Sequence, residues 1–135
     1  MSRPAVGKQK TTVPKLLEKK QKGEKIVALT AYDATFARLE DKAGVDIILV
    51  GDSANMVVAG EPDTLSISLD EMVYLTRYAS RGVKNALLAA DMPFGSYQVS
   101  KEQAIESALR LVKEGGAEAV KIEGGEPHFD AIHRL

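Results

Sequence analysis

From Lys25 onward the chain alternates short apolar runs with amphipathic stretches. "KIVALTAY", "DIILVG", "NALLAAD" and "EAVKIEG" are the runs. None alternates apolar and polar residues strictly, so both faces are buried, as in strands of a parallel sheet covered by helices. The stretches between them carry helix punctuation. "SLDEMVYLTRYASRG" opens with Ser68 three residues before Glu71, a capping-box pattern, and stops at Gly82. "SKEQAIESALRLVKEGG" repeats the arrangement with Ser100 and Gln103, and stops at Gly115 and Gly116. "DATFARLEDKAG" is a third such stretch, and upstream "TVPKLLEKKQKGEK", with its early proline and Gly23, predicts a lead-in helix. Strand and helix in this alternation predict successive right-handed βα units forming a parallel sheet or barrel. "KAGVDIILVGD" and "EGGAEAVKIEGG" also resemble each other, matching Leu49 with Lys121 and Gly51 with Glu123 as repeated units would.

Composition narrows the partners. At 135 residues one domain is expected, and a formal charge of -1 gives no electrostatic reason to expect nucleic acid or an anionic membrane. With no cysteine, disulfides and thiolate chemistry are excluded, leaving oxygen and imidazole ligands. No apolar run approaches the roughly 20 residues that span a bilayer, and no secretory apolar block is seen at the start, so a cytoplasmic protein is expected. Residues 1–12, "MSRPAVGKQKTT", are basic and lack apolar periodicity; they are expected to form a mobile arm ahead of the domain at 13–135.

The polar residues cluster by position. Tyr32 and Asp33, Asp52 and Ser53, Asp91, then Lys121 and Glu123 each follow an apolar run, at the carboxyl end of a predicted strand. In parallel α/β folds that edge binds ligands. Each residue also has a plain structural role available. Asp33 can be a helix cap, Asp52 a turn residue after Gly51, and Asp91 the end of a strand held extended ahead of Pro93. Taken together, several charges at one edge cost free energy unless a cation or charged ligand compensates. Carboxylates without cysteine or histidine beside them favour a hard ion such as Mg2+, and Lys121 supplies a point charge for a carboxylate or keto oxygen. A metal gripping an α-keto acid through two oxygens would stabilise the enolate formed by proton loss beside the ketone.

"GDS" after a strand also resembles the esterases in which an early Gly-Asp-Ser supplies a nucleophile, with a late Asp-x-x-His here matched by Asp130 to His133. The intermediate Gly and Asn blocks of those enzymes are not evident, and "MVVAGEPDTLSIS" does not match their loop. His128 and His133 are expected as surface residues of a terminal helix.

"TAYD" at 30–33, "LVGDS" at 49–53, "ADMPFGSY" at 90–97 and "VKIEGG" at 120–125 occur in an order and spacing similar to the ketopantoate hydroxymethyltransferase family, also called 3-methyl-2-oxobutanoate hydroxymethyltransferase. The segment "DTLSISLDEMVYLTRYASRG" fits the same family, and the resemblance runs from about Lys15 to the end. It implies a (β/α)8 TIM barrel in a homo-oligomer that uses Mg2+ to join 3-methyl-2-oxobutanoate to a one-carbon unit from 5,10-methylenetetrahydrofolate, in pantothenate biosynthesis. Carried over by motif, Asp52 and Asp91 are the metal residues, with Glu123 near the ion or its waters. Ser53, with Asp52 and Asp91, holds the substrate carboxylate, and Lys121 binds the keto acid.

Four βα units account for half of such a barrel. The expectation is therefore an α/β chain forming the N-terminal half of a TIM barrel, with the family's general-base glutamate outside it and little or no turnover by the half alone. Two other readings share the fold: a barrel of the phosphoenolpyruvate mutase and isocitrate lyase group, and a non-catalytic half barrel that pairs with itself.

Overall fold

The computed structural model describes residues 9–135. A helix α1 (Val13–Gln21) leads into four strands, β1 (Ala28–Thr30), β2 (Ile47–Val50), β3 (Leu87–Asp91) and β4 (Ala119–Lys121). Helix α2 (Ala34–Ala43) joins β1 to β2, α3 (Ala54–Val57) and α4 (Leu69–Ser80) join β2 to β3, and α5 (Lys101–Lys113) joins β3 to β4. A 3-10 turn (Glu126–His128) and α6 (Phe129–Arg134) follow. The strands lie in the order β1-β2-β3-β4, all parallel, so each unit packs beside the one before it. This is the expected α/β architecture, four consecutive units of a (β/α)8 barrel. No helix among the described residues is long and apolar enough to cross a membrane.

Strand register explains the internal similarity and corrects it. Leu49 pairs with Ala89, and Ala89 with Ala119, so Leu49 lies level with Ala119 and not with Lys121. The repeat-like match between Leu49 and Lys121 is displaced by two residues across two strand steps. A closed barrel of eight strands requires such a stagger, about one residue per strand. The register offset between the two similar segments is in keeping with that stagger.

The two faces of the sheet differ. Ile48, Val50, Leu88 and Ala90 are buried beneath the helices. The opposite face carries Ile47, Leu49, Ala89 and, at its carboxyl end, Asp91 beside Lys121. Leu29 on β1 remains 47% exposed because no strand or helix among the described residues covers that edge.

Helix entries follow sequence-local chemistry. Asp33 Oδ1 accepts from the backbone N–H groups of Thr35 (2.6 Å) and Phe36 (3.0 Å), which assigns it to the cap of α2 and removes it from the candidate site. Ser68 and Glu71 form the full capping box, with Glu71 N–H donating to Ser68 Oγ at 3.2 Å and Ser68 N–H to Glu71 Oε2 at 2.7 Å. Ser68→Ala is expected to cost about 1 kcal/mol, read as a lower urea midpoint at unchanged slope; an unmoved midpoint would discount the box. At α5 Ser100 caps Gln103 as expected, but the Gln103 amide reaches Val99 N–H and the Gly95 carbonyl, tying the β3–α5 loop to the helix.

The amino-terminal end of the sheet is held by buried acids. Asp41 of α2 accepts from the backbone N–H groups of Asn85 and Ala86 and from the Asn85 amide. Burial opposes its ionisation, but the N–H groups of Ala86, Asn85 and Lys84 prevail and hold its carboxyl below the usual range. Residues 10–12 depart from the expected mobile arm. Thr11 is buried with its N–H on the Asn85 carbonyl, and Lys10 Nζ donates to the Ala86 carbonyl and pairs with Glu118. Gln9 is exposed and without regular structure, and residues 1–8 of the expected arm lie outside the described residues.

Candidate active site

At the carboxyl ends of β2, β3 and β4 the chain brings together Asp52, Ser53, Asp91, Lys121 and Glu123, the residues predicted from strand position. Asp52, Asp91, Lys121 and Glu123 line one cleft of about 70 Å³, with Tyr97 and Phe94 completing its wall. Asp91 is its centre. Its Oδ2 accepts the backbone N–H of Asp52 at 3.1 Å, locking the β2 loop to the end of β3. Its buried Oδ1 is met by Lys121 Nζ in an ion pair at 3.2 Å. Burial pushes the Asp91 carboxyl up, and the Asp52 N–H and the Lys121 charge offset this only in part.

Lys121 balances the opposite way. Burial alone would lower its pKa, but the hydrogen bond to Glu123 and the Asp91 charge outweigh it and hold the ammonium above its ordinary value. Its Nζ donates to Glu123 Oε1 at 3.0 Å. Glu123 stays 72% exposed, one residue beyond Ile122 and past the end of β4. The expected metal trio therefore divides. Asp52 and Asp91 adjoin, Glu123 turns to Lys121, and among the described residues no three of Asp, Glu and His converge closely enough to hold an ion by themselves.

Ser53 lies at the start of the short α3, but its side chain makes no cap hydrogen bond. Its Oγ instead lies 2.9 Å from the Tyr32 hydroxyl, which comes from the loop after β1. No histidine is bonded to Ser53, so the nucleophile reading of "GDS" finds no support in its hydrogen bonds. His133 is exposed on α6. His128, expected at the surface, is half-buried and packs edge-on against Tyr97 with ring centroids 5.2 Å apart.

Tyr97 is the residue that strand position alone does not reveal. Its hydroxyl donates to the Glu123 carbonyl and accepts from the Glu123 N–H, both at 3.3 Å, so it anchors the loop beyond β4. Its place within "ADMPFGSY" was the one available signal.

Residues 10–135 match the ketopantoate hydroxymethyltransferase family. The chain belongs to that family. Relatives named 3-methyl-2-oxobutanoate hydroxymethyltransferase include one from Thermobifida fusca, 56% identical over 94% of this chain and 45% of its own length. Those from Bacteroides fragilis and Pyrococcus abyssi are 50% and 55% identical over 94% and 92% of this chain, and 46% and 43% of their own lengths. The chain thus spans about half the length of the curated relatives it matches. Among solved structures, phosphonopyruvate hydrolase in complex with oxalate and Mg2+ is similar over 83% of this chain and 40% of its own, at TM-score 0.62 and 19% identity. A 2,3-dimethylmalate lyase of the phosphoenolpyruvate mutase and isocitrate lyase superfamily is similar over 82% and 39%, at TM-score 0.58 and 18% identity. At those identities the likeness to the lyase group is one of fold, whereas likeness to the hydroxymethyltransferases extends to half of the residues.

Proposed function

We propose that this chain forms the metal- and keto-acid-holding half of a ketopantoate hydroxymethyltransferase. In this reading a hydroxymethyl group passes from 5,10-methylenetetrahydrofolate to 3-methyl-2-oxobutanoate, giving ketopantoate, within a homo-oligomer. The observation that carries it is Asp91: a buried carboxylate at the wall of the cleft, with one oxygen on the Asp52 N–H and the other paired with the Lys121 ammonium at 3.2 Å.

The donor set fits Mg2+. Such an ion is held by one or two carboxylates and keeps its remaining positions for water and substrate, which two adjoining aspartates without a third carboxylate would allow. Asp52 and Asp91 would hold it, Glu123 would act through its waters, and when bound it would supply a Lewis acid that polarises the keto oxygen.

The chain's own residues then bind and orient. Ser53 and the Asp52 loop would hold the carboxylate, and the Lys121 ammonium, kept charged by Asp91 and Glu123, would face the keto oxygen and favour negative charge there as the C3 proton leaves. Tyr97 and Phe94 would shield the cleft from water. The base that takes the proton would come from the part of the relatives' length that this chain does not span.

Titration calorimetry tests this directly. Binding of 3-methyl-2-oxobutanoate to the purified chain is expected with Mg2+ present and absent with a chelator, with no ketopantoate formed when methylenetetrahydrofolate is added. Metal-independent binding, or none, would overturn the site; robust ketopantoate formation would overturn the placement of the base.

A further inference from the structure

Ser53 precedes a helix but its hydroxyl does not cap it. A serine preceding a helix ordinarily accepts a backbone N–H from the first turn. Ser53 makes no such bond; its Oγ is turned instead to the Tyr32 hydroxyl at 2.9 Å. A Cβ placed on buried Gly51 would stand 2.7 Å from Ser53 Oγ and 3.5 Å from Asp91 Oδ2, so the hydroxyl is folded over Gly51 on the side of the Asp91 carboxylate. Tyr32 is itself half-buried and packed against the core, which fixes its ring.

From this geometry we infer that Tyr32 is a positioning residue that sets the donor direction of Ser53 for a substrate carboxylate. A hydroxyl has one proton and two acceptor sites. With the Tyr32 O–H donating to Ser53 Oγ, the Ser53 proton is free to point at an anion. The two bonds in series polarise each other, strengthening the one to the charged acceptor. Without Tyr32 nothing fixes which way the serine hydroxyl points its proton. Nothing in the local sequence marks the pair, since 21 residues separate the two.

The inference rests on the proposed keto-acid site, so two anionic probes are used: 3-methyl-2-oxobutanoate, and oxalate as a plain dicarboxylate, each titrated into the Mg2+-loaded chain. Tyr32→Phe and Ser53→Ala are each expected to weaken anion binding about tenfold. The double variant is expected to lose no more than Ser53→Ala alone, because Tyr32 acts through the serine. A purely structural tyrosine gives losses that add, and additive losses or an unchanged Tyr32→Phe affinity would overturn the inference. Mg2+ titrated alone reports whether the metal residues remain in place in each variant. If oxalate binds with the non-additive pattern while the keto acid does not bind, the keto-acid reading fails and the role of Tyr32 stands. If neither anion binds the wild-type chain, both fail.

Discussion

Asp91→Asn is expected to abolish Mg2+-dependent keto-acid binding while leaving the metal-free fold at least as stable as the parent. Asparagine keeps an oxygen for the Asp52 N–H, so the β2–β3 link survives. What it loses is the charge. Altering groups that merely support a metal ligand costs about 10- to 100-fold in affinity, so removing a charged ligand is expected to cost at least about 100-fold. Stability moves the other way. Burial raises the folded-state pKa of Asp91, so its contribution is fully present below the ordinary carboxylate pKa and is lost as the pH rises through the raised value. Asparagine carries no charge to desolvate at any pH. Near neutral pH the thermal midpoint of the metal-free variant should therefore equal or exceed that of the parent, with the difference closing in acid. Loss of Lys121's partner subtracts little, since that side chain is 42% exposed and retains Glu123. Calorimetry of both proteins without metal across pH 4 to 8, beside Mg2+ titrations, reads both quantities. A variant that lost stability together with binding would make Asp91 a structural acid.

That opposition between stability and binding is what made the site legible in the sequence. Asp91, Asp52 and Lys121 could be placed at one edge because a parallel sheet sends every strand's carboxyl end to the same side, and an apolar run ending in a charge is visible without coordinates. The partnerships are not visible. A spacing of two from Lys121 would put Glu123 on the same strand face, but the strand ends at Lys121, which frees Glu123 to turn back to the lysine. Tyr97 lies 26 residues from the backbone groups it bonds, a contact created by the β3–α5 loop folding over β4. The four-residue α3 is too short to show any periodicity in the sequence. Asp33, with the same apparent claim as Asp52, was separated from it only by its cap hydrogen bonds.

Gly82→Ala is expected to be among the most damaging single-methyl changes in the fold. The sequence marks Gly82 as a helix stop, and α4 does end just before it, at Ser80. Its backbone is nevertheless not left-handed, so alanine's conformational preference is no obstacle there. The obstacle is α2. A Cβ at residue 82 would lie 2.5 Å from the Ala34 carbonyl oxygen, 2.8 Å from the Arg38 nitrogen and 2.9 Å from Ala37 Cβ. Two of those atoms are backbone, held in place by the α2 ladder and the Asp33 cap, so no flexible side chain can give way. Relief requires α2 to withdraw from the turn after α4, exposing Ala37, which is fully buried. Overpacking of this kind costs about 3 kcal/mol, a large part of the roughly 5–15 kcal/mol that stabilises a domain. Urea unfolding should show a midpoint lowered accordingly at unchanged slope. Gly44→Ala at the end of α2 serves as the contrast: its φ of 89° strains any L residue, but a Cβ there meets nothing within 4 Å. Its expected cost is only about 1 kcal/mol. A Gly82→Ala loss no larger than that of Gly44→Ala would show that α2 shifts freely and that the close crossing is not what holds the first two βα units together.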